Sequence, residues 1–449
     1  MRARSFFSFD SLIFYPAAVL IAFNFVLTLL ILLMAKIKKI KGFSDLFPPE
    51  SDLFARMEDV ARRVFSRYGC QELRLPVLEK TDLFARSIGG ETDIVQKEMY
   101  TFPDRKGRSL TLRPEATAGV VRAYVEAQRH AQQHVSKYYT FGPMFRYERP
   151  QKGRTRQFHQ INVEVLGPDS PMADAELIMM LINYLRELGL KDLRIEVNSL
   201  GCTKCRPAFH EALGEYVHGL DRDSFCRDCQ RRIDTNPLRL LDCKVPGCKA
   251  LMQNAPAIGE HVCPECAEHF NSVRHTLEGA EIDYVVNPLL VRGLDYYQRT
   301  TFEVVSSDIG AQASVAGGGR YDGLVKALGG PDVPGLGFAC GMERLAMLID
   351  SEGDRDLDFY LAVLHEEAMS TALILAHHLR ESGYWGEISF KASSVKSQLR
   401  LANKLGVKVC LLLGLDEMQR GEIMVKDMET GVQRAVSQDD IEQAVGLKR

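Results

Sequence analysis

Hydrophobic and polar positions alternate along this chain with two different periods. Over residues 51–68, Leu53, Phe54, Met57, Val60, Ala61, Val64 and Phe65 recur at helical spacing, and Gly69 follows. That predicts an amphipathic helix with a glycine stop. Residues 172–188 repeat the pattern, and a third helix is expected over 118–130. Period-two stretches predict strands at 72–78 (with Pro76, hence at an edge), 98–102, 109–112, 144–148, 158–165, 193–198, 300–306 and 336–340. Gly341 then opens a helix with Met342, Leu345, Ala346 and Ile349 on its buried face. After a polar linker at 351–358 the order becomes strand, helix, strand, helix, strand, at 359–364, 366–381, 387–390, 395–405 and 407–413. A further stretch at 432–435 and a final helix after Ser437 complete it. Such alternation predicts an α/β domain with a parallel sheet.

One stretch concentrates polar chemistry within the strand pattern. Residues 141–167, FGPMFRYERPQKGRTRQFHQINVEVLG, read as strand, charged loop, strand. Residues two apart in a strand share a face. Gln160, Asn162 and Glu164 therefore project together, while Ile161, Val163 and Val165 face the other way. Gln and Glu beside Arg146 of the partner strand are costly to bury without a ligand or mutual pairing. The loop 149–156 carries Arg149, Lys152, Arg154 and Arg156, with Pro150 and Gly153 as turn formers, and it suits phosphates. Taken alone, a hairpin with a solvated basic turn accounts for the same pattern. In VAGGGRYD, Gly317 to Gly319 permit close approach of backbone to a ligand. No glycine run is a G-x-G-x-x-G or a G-x-x-x-x-G-K-[ST], so a bound nucleotide would need another cradle.

Composition narrows this picture. A chain of 449 residues with 46% hydrophobic content supplies cores for about two or three domains. A net charge of −3 confines any nucleic-acid binding to local basic patches. There is no low-complexity tract or solenoid repeat. Residues 12–34 carry no charge and are long enough to span a bilayer; Arg2 and Arg4 precede them, and Lys36, Lys38, Lys39 and Lys41 follow. Two readings stand: a membrane anchor, or upstream sequence read in frame ahead of a true start at Met34. Eight of the 11 cysteines form the pairs Cys202/Cys205, Cys226/Cys229, Cys243/Cys248 and Cys263/Cys266. A C-x-x-C turn presents two thiolates to one tetrahedral ion, so four pairs suffice for two four-cysteine zinc sites. Disulfides in an exported protein and reduced, metal-free thiols are the other readings. Spacing does not say which pairs combine.

From Met34 onward the chain resembles the histidyl-tRNA synthetases, a class II aminoacyl-tRNA synthetase family. The blocks TLRPEAT, FRYERPQKGRTRQFHQINVEVLG, LVRGLDYYQRTTFEV, AGGGRYDGL and GLGFACGMERL stand in the family's order. Two are general class II motifs; the RGLDYY and GGGRYDG blocks look particular to the histidine enzymes. The resemblance implies an α+β catalytic core on an antiparallel sheet, at 34–200 and 276–350, around a Cys-rich insertion at 201–275. An α/β anticodon-binding domain with a mainly parallel sheet follows at 355–449. Residues 1–33 become an apolar extension ahead of the true start, which leaves no membrane segment.

The resemblance further implies a cytoplasmic homodimer that uses ATP with Mg2+, L-histidine and tRNA(His). Histidine attacks the α-phosphate to give histidyl-adenylate and pyrophosphate; a ribose hydroxyl of the terminal tRNA adenosine then takes the activated acyl group. By resemblance Arg146 holds the α-phosphate and the histidine carboxylate. Arg154 and Arg344 bind the outer phosphates. Arg292 stands at the α-phosphate, where other class II enzymes place a metal. Glu115, Thr117 and Gln160 take the substrate ammonium. Glu164 and Tyr297, with Tyr296 alongside, read the imidazole nitrogens. Arg149 and Gln151 face the tRNA acceptor end. The usual Glu-Gly-Thr is here Glu115-Ala116-Thr117. The paired cysteines resemble those of some bacterial members, although the family as a whole does not require zinc. The alternative is a non-catalytic, histidine-sensing regulatory subunit on the same core, a type that typically loses active-site charges and the anticodon domain.

Overall fold

The computed structural model describes residues 37–90, 92–308, 314–349 and 357–446. The apolar stretch 12–34, Lys36 and residues 351–356 of the expected linker lie outside the described residues. Among the described residues no helix is long and apolar enough to cross a membrane. The chain divides into two compact units. The first comprises the chain up to Asp45 with 65–182 and 192–344; the second comprises 46–64, 183–191 and 345 onward. The second unit thus draws on two earlier segments of the chain.

The first unit is built on an eight-stranded sheet. In chain order its strands are β1 (Gln71–Glu72), β5 (Ser136–Phe145), β6 (Gln157–Leu166), β7 (Leu193–Ser199), β8 (Val285–Val286), β9 (Gln298–Ser306), β10 (Ser314–Arg320) and β11 (Gly335–Gly341). They lie in the order β1-β5-β6-β11-β10-β9-β7-β8. Only the outer pairs β1/β5 and β7/β8 are parallel; the interior is antiparallel. A small antiparallel sheet holds β2 (Leu78–Lys80), β3 (Tyr100–Pro103) and β4 (Ser109–Leu112). The strand expected at 72–78 is therefore two fragments, interrupted around Pro76, which has no N–H to give to a ladder. The strand read at 144–148 in fact ends at Phe145 and begins at Ser136; Gly142 and Pro143 hid it. The glycine run, read only as permissive backbone, is β10 itself, paired on both sides.

The cysteine-rich insertion is helical: Arg206–His218, Arg227–Thr235, Pro246–Leu251 and Pro264–Gly279. Pro246 and Pro264 stand in first turns, where a missing N–H costs nothing. Phe209, Leu213, Leu240 and Met252 of the insertion share one buried cluster with Tyr138, Leu166, Tyr297 and Tyr321 of the catalytic part. The insertion is thus fused to the sheet's core. Deeper still, the fully buried Arg320 donates to Asp174 (Nε to Oδ2, 3.1 Å) and to the Pro168 carbonyl (2.9 Å), and His269 Nε2 lies 3.3 Å from the same carboxylate.

The second unit contains a five-stranded sheet ordered β13-β12-β14-β15-β16, from β12 (Phe359–Val363), β13 (Gly386–Ile388), β14 (Val409–Leu413), β15 (Glu422–Asp427) and β16 (Gln433–Ser437). β12 pairs parallel with β13 and β14, while β15 and β16 run antiparallel. The expected mainly parallel sheet is a mixed one, because the strand Glu422–Asp427 and the helix Leu415–Arg420 escaped the pattern reading. Apolar clusters cover both faces of this sheet: Leu361, Val363, Leu375 and Leu411 on one side, and Tyr360, Ala402, Cys410 and Leu412 on the other.

Candidate active site

A cleft of about 560 Å³ opens over the middle of the large sheet. Its floor takes Gln160 and Asn162 from β6, Glu303 from β9, Gly317 from β10 and Ala339 from β11. Antiparallel pairing places Gln160 opposite Gly341 and Asn162 opposite Ala339. Ile161, Val163 and Val165 are buried in the core, and Gln160 and Asn162 of the polar set line the cleft.

Arginines define the cleft walls. Arg146, just past β5, is oriented by Nε donating to the Pro114 carbonyl (2.9 Å), and its guanidinium lies 5.4 Å from the centre of the Phe158 ring. Arg154 pairs with Glu148 at 2.8 Å, and Arg146 stands 3.9 Å from the other oxygen of that carboxylate. Arg344, on the short helix Met342–Ala346, donates to the carbonyls of Ser314 (2.5 Å) and Gly153 (3.4 Å). Burial, followed by the nearby positive charge of Arg154, lowers its affinity for its proton. Arg292 donates from Nη1 to Glu303 at 2.8 Å. Burial is the largest single influence and works against its charge, but Glu303, Tyr297, Asp242 and Tyr296 together outweigh it, so its pKa is raised.

The acidic residues expected to meet substrate are held more deeply. Glu115 accepts from the backbone N–H of Thr117 (2.6 Å) and Ala118 (2.9 Å) at the start of the helix Thr117–Glu126. It thereby satisfies two of that helix's orphan donors, while burial pushes its pKa up. Glu164 does not line the cleft. It is buried, accepting from Thr117 Oγ1 (2.6 Å) and Tyr321 Oη (2.5 Å), and burial pushes it up to about 8. Tyr296 and Tyr297 line the cleft with ring centres 4.8 Å apart; burial pushes Tyr297 up to about 12. Arg149 and Gln151 are exposed on the loop between β5 and β6, where Gln151 and Arg154 exchange backbone bonds of 2.9 Å.

Several residues in and around the cleft were not singled out from the sequence. Glu303 was one letter of a strand, yet a carboxylate at its centre had to find a cation. Tyr321 was quoted only within a glycine motif. Glu343 accepts from the His159 backbone N–H at 2.9 Å, tying the helix Met342–Ala346 to β6.

The eight paired cysteines resolve into two groups. Cys202, Cys205, Cys263 and Cys266 form one; Cys226, Cys229, Cys243 and Cys248 form the other; within each, the sulfurs lie within 4.8 Å of one another. Backbone N–H groups already point at two sulfurs, Cys263 N to Cys205 Sγ (3.1 Å) and Cys226 N to Cys248 Sγ (3.2 Å), as suits thiolates. All eight are free of disulfides, and four sulfurs at this separation fit a tetrahedral soft ion.

Comparison with known proteins agrees with this geometry. A family model described as histidyl-tRNA synthetase matches residues 42–345, and one described as an anticodon binding domain matches 358–446. A histidine–tRNA ligase of Nitratidesulfovibrio vulgaris is 62% identical over 408 residues, 91% of this chain and 98% of that protein. One from Oleidesulfovibrio alaskensis is 61% identical over 409 residues, 90% of this chain and 98% of that protein. The crystal structure of the apo S. aureus histidyl-tRNA synthetase superposes with a TM-score of 0.75 at 34% identity, covering 91% of this chain and 99% of that one. With its antiparallel sheet, its arginine-walled cleft and these relatives, the chain belongs to the histidyl-tRNA synthetase family of class II aminoacyl-tRNA synthetases.

Proposed function

We propose that this chain activates L-histidine with ATP and transfers it to the 3′ end of tRNA(His), and that the cleft is where both steps occur. The observation that carries this reading is a set of buried polar atoms with no partner among the described residues: Gln160 Oε1, Asn162 Oδ1 and Arg292 Nε. All three residues line the cleft, and such atoms are costly unless a ligand satisfies them.

The chemistry needs placed positive charge more than covalent help. A histidine carboxylate oxygen bonds to the α-phosphorus, the bond to the bridging oxygen breaks, and pyrophosphate leaves. Arg146 and Arg292 meet the carboxylate and the α-phosphate; Arg154 and Arg344 meet the outer phosphates, which arrive with Mg2+. Arg154 exchanges Glu148 for phosphate as it does so. Gln160 and the Glu115–Thr117 turn receive the ammonium. Glu164, acting through Thr117 and beside Tyr297 and Tyr296, sets the polarity of the imidazole subsite. The exposed Arg149 and Gln151 suit the tRNA acceptor end. In this reading the C-terminal mixed sheet takes the anticodon, and the enzyme works in the cytoplasm as a homodimer. Each cysteine group holds one structural zinc ion.

The test is histidine-dependent exchange of pyrophosphate into ATP, followed by charging of tRNA(His). Exchange that requires histidine, with no exchange for other amino acids, is the expected result. A well-folded chain that binds histidine without exchange would instead make it a sensing subunit. The retention of Arg146, Arg292 and Arg344 and of the C-terminal domain counts against that alternative.

A further inference from the structure

We infer that the two cysteine groups are positioning centres for the catalytic loop: each carries one arginine that grips one end of the segment Arg292–Gly293–Leu294–Asp295–Tyr296–Tyr297. This rests on the zinc reading above and assigns the metal a task in catalysis.

The first grip is Arg206. It follows Cys205 directly and opens the helix Arg206–His218. Its Nη2 donates to the carbonyl of Tyr297, and its backbone N–H bonds back to Cys202 O at 3.2 Å. The Cys202–Cys205 turn therefore fixes where this guanidinium points. The second grip is Arg239, in the single turn Pro237–Leu240 between Cys229 and Cys243. Its Nη1 donates to Arg292 O (3.0 Å), and its Nη2 donates to Gly293 O (2.6 Å) and Asp295 Oδ1 (3.0 Å). Its side chain is only 12% exposed. Asn236 adds a contact to the same carboxylate at 3.4 Å. The neighbouring Leu240 is buried with Cys229, Cys243 and Cys248 in one cluster, so the second group and the Arg239 turn move together.

The consequence reaches the reacting atoms. Arg292 has its carbonyl held by Arg239 and its guanidinium aimed at the cleft, against Glu303. The same strip of the insertion brings Asp242, Lys244 and Lys249 to the cleft wall. An ion that ties residues 226–229 to 243–248 closes this strip into a loop, and opening it frees Arg239. Neither arginine touches the cleft floor, so both act through the segment they grip. Loss of such alignment costs catalysis about 10- to 100-fold without removing any reacting group.

Five measurements on the full-length chain test this. Native mass should show two zinc ions per chain. Arg239→Ala and Arg206→Ala should keep both zinc ions and lower kcat for pyrophosphate exchange about 10- to 100-fold. Amide hydrogen exchange of residues 291–297 should become faster in both variants. Arg239→Lys should restore only part of the loss, since one ammonium cannot replace a fork spanning two carbonyls and a carboxylate. Removing zinc from the wild-type chain with a chelator should speed exchange at 291–297 while the strands of the sheet stay protected. Zinc-replete variants with unchanged kcat and unchanged protection would overturn the inference and leave the zinc reading intact. A native chain without zinc would overturn both. A wild-type chain with no pyrophosphate exchange would sink the enzyme reading, and hydrogen exchange at 291–297 would still decide the grip.

Discussion

Arg292 and Glu303 form an ion pair at 2.8 Å beneath a glycine that leaves room for it. A Cβ built on Gly317 would stand 2.5 Å from Arg292 Nη1. The guanidinium can therefore lie flat on the strand only because β10 has no side chain there. The carboxylate of Glu303 supplies the orienting charge, and the strands β9 and β10 supply the space.

Removal of the charge should be the most damaging change. Arg292→Ala is expected to lower kcat for pyrophosphate exchange by about 10²–10³-fold, the range for loss of one preorganised donor. Glu303→Gln should cost less, about 10-fold, because Arg292 keeps its charge and loses only its orientation. Steady-state exchange kinetics of the two variants check the ranking; equal losses would mean that Glu303 itself meets substrate.

Two glycines on neighbouring strands should behave differently. In Gly317→Ala the atom met is the far end of a flexible side chain, so the arginine swings away: activity falls while the melting temperature stays close to that of the wild type. In Gly337→Ala the new methyl would lie 1.9 Å from Glu164 Oε2 and 2.6 Å from the Val163 carbonyl. Backbone cannot yield so cheaply, and a loss of about 1–3 kcal/mol in stability is expected. Thermal melts alongside exchange assays separate the two outcomes.

Glu164 predicts a pH dependence with a definite sign. Burial raises its pKa from 4.5 to about 8, so between those values the folded state keeps a proton that the unfolded chain releases. Its contribution to stability is full below 4.5 and is lost as pH rises through 8. Glu164→Gln cannot ionise. Its melting temperature should decline less steeply than the wild type's over that window, as followed by calorimetry in matched buffers. Parallel curves would place the proton elsewhere.

The Arg320–Asp174 pair, with Arg320 fully buried, should be intolerant of half-removal. Asp174→Ala leaves the buried guanidinium with only Asp322, at 3.2 Å, and backbone carbonyls for partners, and a loss of about 3–5 kcal/mol follows from breaking a buried pair. Chemical denaturation of the variant against wild type checks it. A loss below about 1 kcal/mol would show that His269 and the surrounding carbonyls do not need the carboxylate.

Local pattern and chemistry were legible in the sequence by itself. The helices Glu50–Arg67 and Pro171–Glu187, the strand Leu193–Ser199 and the polar face of β6 follow from side-chain periodicity, which is set by backbone geometry over a few residues. The five motif blocks and the cysteine pairs were equally plain, because chemistry of that kind tolerates few substitutes. Tertiary structure decided the rest. It alone combined Cys202/Cys205 with Cys263/Cys266, since identical C-x-x-C turns carry no information about their partners. It made the glycine run a central strand, because a residue without a side chain has no hydrophobic period to read. It set Glu164 under Thr117 and Tyr321, whereas alternation alone put it on the cleft face beside Gln160. It also joined Arg239 to Arg292 across more than fifty residues of chain. Such a contact depends on how a helical insertion folds back on a sheet, and no local spacing records it.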